Sequence, residues 1–123
     1  MLTFIETGHL EPAPVDEKVV ERIKSITEHA LDSLGIKYGA SHTEVKVNKD
    51  GAIKIIGIGG RMGGDFIGSS LVKLSTGVDF VEQVIRVSLG EKPIIIKKKG
   101  CYAGIRYIFD RSDIELFNNM IYW

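Results

Sequence analysis

The residues best equipped for chemistry fall in one stretch, from His42 to Asp65. Thr43, Val45 and Val47 alternate with His42, Glu44, Lys46 and Asn48, the period of a strand with one wet face. Asn48-Lys49-Asp50-Gly51 is turn chemistry, with glycine supplying a positive φ, and 52–58 returns as a second, more apolar strand. A two- or four-residue loop would set Glu44 opposite Ile55 and make position 57 its diagonal neighbour on the same face. Lys46 and Arg61 have the matching parity, so this face gathers a carboxylate and two cations. That is equipment for phosphate charge. A carboxylate can hold Mg²⁺ against phosphates, and a guanidinium grips phosphate oxygens with two parallel hydrogen bonds. The same pattern also describes a strand face that is merely solvated, and at this level both readings stand.

Other motifs are excluded by spacing. The cluster 59–64 has no Lys-Ser/Thr pair after its last glycine, so it is not a P-loop. His42 and Glu44 form a His-x-Glu pair, but a zinc deaminase also needs paired cysteines, and Cys101 is alone. The single cysteine likewise excludes an internal disulfide. His9, beside prolines, reads alone as a loop histidine.

The elements that must position these groups read as α+β. Residues 2–7 look like a strand already under way, so that the chain looks cut at its start, and a loop with two prolines follows from His9 to Pro14. Asp16 caps a helix to about Leu34, carrying Val19, Val20, Ile23, Ile26, Ala30 and Leu31 at helical spacing, with Gly35 as its left-handed stop. After the hairpin, Asp65 caps a helix to about Leu74, and Thr76-Gly77 breaks it. Asp79 caps another, with Phe80, Val81, Val84, Ile85 and Leu89 as its apolar face. Strands are expected near 94–97 and 102–109, and a short helix over 113–121 through Ile114, Phe117 and Ile121. This order predicts a mostly antiparallel sheet flanked by helices in a single domain.

Bulk properties agree with an ordinary globular chain: 123 residues, 44% hydrophobic and 26% charged. Acidic and basic residues balance at 16 each, so no net field recruits nucleic acid or anionic lipid. The run Lys97-Lys98-Lys99 beside Gly100 reads as a solvated strand end. No apolar stretch is long enough for a membrane helix, and no signal pattern opens the chain, so a cytoplasmic protein is expected.

Taken in order, these residues resemble a known family. His42-Thr43-Glu44-Val45-Lys46 and Ile55-Ile56-Gly57-Ile58-Gly59-Gly60-Arg61-Met62-Gly63-Gly64-Asp65-Phe66 look like the metal-binding hairpin of ATP-grasp ligases. Phe4-Ile5-Glu6-Thr7-Gly8-His9, Pro12-Ala13-Pro14, Leu34-Gly35-Ile36 and Leu74-Ser75-Thr76-Gly77-Val78-Asp79-Phe80 are similar to the branch holding L-amino acid ligases and carbamoyl-phosphate-synthase-like or biotin-carboxylase-like proteins. The resemblance covers about 2–110 and implies the C-terminal part of such an enzyme, a fragment whose missing N-terminal domains carry the rest of the nucleotide clamp. It implies ATP and Mg²⁺ as cofactors and a small carboxylate and an amine (or thiol) as substrates, with little activity expected from this half of the clamp alone; the alternative is a non-catalytic or degenerate nucleotide-binding or assembly module. Glu44 falls on the first metal-binding carboxylate, and with Lys46 it faces the nucleotide. Arg61 falls on the arginine that steadies the acyl-phosphate. Glu6 and His9 fall on substrate-lining residues, and the amides of Gly63 and Gly64 are placed to support negative charge. Exposed edges left by the missing half would favour a homo-oligomer.

The sequence departs from the family where a second metal carboxylate is expected, for that position is Gly57. Gly59 stands where Asn often does. An impaired catalyst, an altered copy, and a missing ligand supplied by another group are three open readings of this departure.

Overall fold

The computed structural model describes residues 5–98 and 100–120. The expected strand positions 2–4, Lys99 and Ile121 lie outside the described residues. Within them the chain is α+β, as its pattern predicts, built as β1 (Gly8–Glu11), α1 (Glu17–Ser33), β2 (His42–Val47), β3 (Ile53–Gly59), α2 (Val72–Thr76), α3 (Phe80–Ser88), β4 (Ala103–Arg106) and α4 (Arg111–Met120). The pairing is antiparallel throughout, but it forms two separate two-stranded ribbons, β1 with β4 and β2 with β3, in place of one sheet.

Helix α1 forms for the reasons its sequence gives. The Asp16 carboxylate accepts from the Lys18 amide at 2.8 Å, and Gly35 turns left-handed at φ 71°. The Ile36 amide then donates back to Leu31 O at 2.9 Å, closing a Schellman stop. Helix α3 likewise starts on Asp79, which accepts from the Glu82 amide at 3.1 Å. Its expected apolar face is not its buried face. Gln83 is the buried residue, its side-chain oxygen accepting from the Ile94 amide at 2.6 Å, while Ile85 and Leu89 are exposed.

Three expectations give way. Among the described residues the first strand begins at Gly8, and so takes in His9, which the prolines had suggested lay in a loop. Ile94 to Lys97 is extended but joins no strand among the described residues. Its amide from Ile94 is spent on a side chain, and the neighbouring Lys98 amide bonds Thr76 O at 2.9 Å. The third is Asp65, which caps nothing. Asp65 and Phe66 both turn left-handed, at φ 49° and 61°, and the chain then makes a wide π-helical turn, with Leu71 N–H donating to Phe66 O at 2.9 Å. The left-handed region costs a bulky side chain about 1–2 kcal/mol, and Phe66 is 62% exposed, so packing returns little of it. Phe66→Gly is therefore expected to raise stability by up to about 1 kcal/mol, read as a higher melting midpoint.

The buried core is small: Leu71, Val78 and Ala103, with Ser75 and Gln83 beside them. No residue of α1 is buried. The chain presents 9968 Å² to solvent, against roughly 6,600 Å² for a compact monomer of its mass. Much of the difference is apolar, including Ile94, Ile95, Ile96, Leu116 and Phe117.

Candidate functional site

The hairpin that presents Glu44 has a loop of three residues. Asn48 and Ala52 close it: Asn48 N–H donates to Ala52 O at 3.0 Å, and Ala52 N–H donates to Asn48 Oδ1 at 2.7 Å. Gly51 takes φ 77°, which a residue with a side chain resists. An odd loop shifts the register by one from the expected pairing, and a bulge at Ile56 shifts it once more. Val45 therefore faces Ile55, and Glu44 faces Gly57 directly. The diagonal placement of position 57 is corrected to a face-to-face one. Along the same face His42 pairs with Gly59, and Lys46 pairs with Lys54.

Glu44 is exposed, and the His42 imidazole stands beside it, Nε2 to Oε1 3.5 Å. The His42 ring is tucked against the glycine loop, since a Cβ on Gly63 would come within 2.9 Å of its Nδ1. Arg61 folds back toward the strand end: a Cβ on Gly59 would meet its Cγ at 3.4 Å. Its guanidinium donates to Met62 O at 2.8 Å. Among the described residues no ion pair joins Arg61 or Lys46 to Glu44; Glu44 and Lys46 alternate on β2, and Arg61 lies two residues past the end of β3. Gly63 and Gly64 lead into the left-handed turn at Asp65, not into a regular helix, and their amides gain no long helix dipole.

The glycine loop ends on the other group of candidates. Asp65 Oδ2 and Glu6 Oε2 each stand 3.9 Å from His9 Nε2, and the ligand atoms of all three lie within 4.8 Å of one another. The left-handed turn accounts for this, because it aims Asp65 at β1 instead of leaving it at a helix start. Tyr107, just past β4, completes the group: its hydroxyl lies 3.1 Å from His9 Nε2, and the rings meet edge to face with centroids 5.8 Å apart. The Tyr107 hydroxyl is pushed above its ordinary pKa by desolvation first, then by the Asp65 and Glu6 carboxylates. Neither carboxylate has a lysine or arginine partner among the described residues. The group can therefore accept a cationic or hydrogen-bond-donating ligand.

Glu6 and His9, singled out by sequence, are thus brought together. Asp65 and Tyr107 were missed. Asp65 looked like a helix cap, and Tyr107 reaches His9 only through the pairing of β1 with β4. His42 was weighed only against a zinc pattern, although its parity with Glu44 was visible.

Comparison with known proteins agrees with this architecture. Residues 2–69 match the family model described as ATP-grasp domain. Alanine–anticapsin ligase of Bacillus subtilis (strain 168) is 36% identical over 47 residues, 38% of this chain and 10% of that protein. The crystal structure of L-amino acid ligase from Bacillus licheniformis superposes with a TM-score of 0.75 at 30% identity, covering 89% of this chain and 28% of that one. Phosphoribosylglycinamide synthetase from Anaerococcus prevotii shares the fold, with a TM-score of 0.73 at 24% identity over 85% of this chain and 27% of that one. The chain thus spans about a tenth of the curated relative and about a quarter of the solved ones. With more than half its length matched by the family model, the chain belongs to the ATP-grasp family.

Proposed function

We propose that this chain is the C-terminal part of a longer cytoplasmic ATP-dependent carboxylate–amine ligase and supplies one wall of its nucleotide and substrate site. The observation that carries this reading is the path of the glycine-rich loop. It starts at the ribbon face that holds Glu44, passes through Arg61, and ends with Asp65 beside Glu6 and His9. A phosphate side and a substrate side are joined by eight residues or fewer of backbone.

In the proposed reaction a substrate carboxylate oxygen attacks the γ-phosphorus of ATP, ADP departs, and an amine then displaces phosphate from the acyl-phosphate. Arg61 exchanges its bond to the Met62 carbonyl for phosphoryl oxygens, which its planar fork fits better. The backbone amides of Gly63 and Gly64 lie next along the chain and can donate to the same oxygens. The Glu6 and Asp65 carboxylates, gathered around His9, orient the amine by accepting its hydrogens. Lys46, exposed on the ribbon, faces the outer nucleotide phosphates. Preorganised charge of this sort is what phosphoryl transfer chiefly requires.

The magnesium ion used in this family fits only in part. Glu44 is a suitable hard ligand, but the residue facing it is Gly57, and the next on that side is Gly59. The ribbon does not complete an all-oxygen site. The apolar surface left open here is proposed to be covered by the remaining, N-terminal portion of the ligase, whose solved relatives are about three times as long as this chain.

Titrating the chain with ATP and a divalent cation is expected to shift the backbone resonances of residues 42–44 and 57–64, with chelation reversing the shift. Loss of one charge-assisted contact is worth about 1.5–3 kcal/mol, so Glu44→Ala and Arg61→Ala should each weaken binding by roughly tenfold or more. Binding unchanged in both variants would remove the site from this ribbon.

A further inference from the structure

Glu44 faces Gly57, where the resemblance implies a second carboxylate as partner, yet it does not stand alone. We infer that His42 replaces that partner, so the ribbon holds an imidazole-accepting divalent ion of the cobalt, nickel and zinc class in preference to Mg²⁺. This rests on the reading of the ribbon as the cation side of the nucleotide site, and it departs from the all-oxygen magnesium chemistry of the family.

Four observations converge on it. His42 and Glu44 are two apart on one strand, so their side chains leave the same face. Their donor atoms, Nε2 and Oε1, are 3.5 Å apart. Two ligands each about 2.1 Å from one ion stand about 3.0 Å apart at right angles and about 3.4 Å at the tetrahedral angle. The pair is therefore already spaced for a shared ion. Across the ribbon both facing positions are glycines, Gly57 and Gly59; a Cβ at Gly57 would meet nothing within 4 Å, so the space over Glu44 is open, while the Arg61 side chain lies over Gly59. The ring itself is held: its Nδ1 edge packs on Gly63, and its side chain is 25% exposed against 55% for Glu44. A fixed Nε2 beside a carboxylate with no lysine or arginine partner among the described residues presents one nitrogen and one anionic oxygen. Imidazole nitrogen suits cobalt, nickel and zinc, whereas magnesium demands oxygen and keeps its water. Nucleotide phosphates would fill the remaining positions.

Co²⁺ alone, added to the intact chain and followed by NMR, tests this. Its paramagnetism should broaden the His42 ring and the resonances around Glu44 first, and a tenfold excess of Mg²⁺ should fail to reverse the effect. His42→Phe keeps a ring against Gly63 but removes the donor, and His42→Gln keeps an oxygen donor. Both should weaken Co²⁺ binding about tenfold or more, and neither should weaken Mg²⁺ binding. Glu44→Gln should weaken both ions. If Glu44→Gln abolishes Co²⁺ binding while both His42 variants bind it normally, the inference about His42 fails and the ribbon reading survives. If Co²⁺ binds with no response to any of these variants, or broadens His9 in place of His42, both fail. Ready displacement by equimolar Mg²⁺ would also overturn the proposed preference.

Discussion

Gly8→Ala is expected to destabilise the chain by about 2–4 kcal/mol, lowering its melting midpoint by roughly 10 °C. Gly8 pairs with Arg106 at the end of the β1–β4 ribbon. A Cβ there would lie 2.2 Å from Ile105 O, 3.1 Å from Arg106 Cα and 3.2 Å from Ile105 C. All three are backbone atoms, so no side chain can swing aside, and the strands must part. Parting them loses ladder hydrogen bonds and the bond from Tyr107 N–H to Thr7 O. A core of so few buried residues has little reserve against this. The effect should also reach the substrate side, because β1 carries His9 and the segment after β4 carries Tyr107. Denaturant melts of the variant and the parent measure the first effect, and loss of the His9–Tyr107 ring contact in NMR measures the second. A variant as stable as the parent would show that this ribbon contributes nothing to holding the fold.

Gly57→Glu is expected to raise Mg²⁺ affinity tenfold or more. Position 57 faces Glu44 directly, and residues so paired have Cβ atoms about 4.5–5.5 Å apart. Two carboxylates at that separation can both reach one ion, and the space a side chain needs is open. Without the ion the same two charges repel. The variant should therefore melt lower in chelator and recover as Mg²⁺ is added, a response the parent lacks. Gly57→Ala is the control: it adds a Cβ to a strand position where glycine is weakening, so it should gain a little stability and no Mg²⁺ affinity. Equal Mg²⁺ binding by the two variants would contradict the face-to-face placement of positions 44 and 57.

What could be read in advance was local. Asp16, the apolar spacing after it and Gly35 define α1 because each acts within a turn of where it stands. The hairpin was legible as a hairpin. Its register was not, because the strand periods look the same whether the loop holds two, three or four residues. Asn48 Oδ1 capturing the Ala52 amide decides for three, and the bulge at Ile56 then brings Gly57 under Glu44. Ile94 to Ile96 have strand composition but join no strand among the described residues, since pairing depends on a neighbour that composition cannot supply. Glu6 and His9 were found through resemblance. Asp65 and Tyr107 belong to the same group by tertiary geometry alone, the tyrosine 98 residues from the histidine it touches.

The β1–β4 pairing also sets an order of events during synthesis. Glu11 meets Ala103, so about ninety residues must leave the ribosome before the first strand finds its mate. At roughly 5–20 residues per second that is a wait of about 5–18 s. Helix α1 and the central hairpin can form within that interval. The histidine end of the site then matures after both of them.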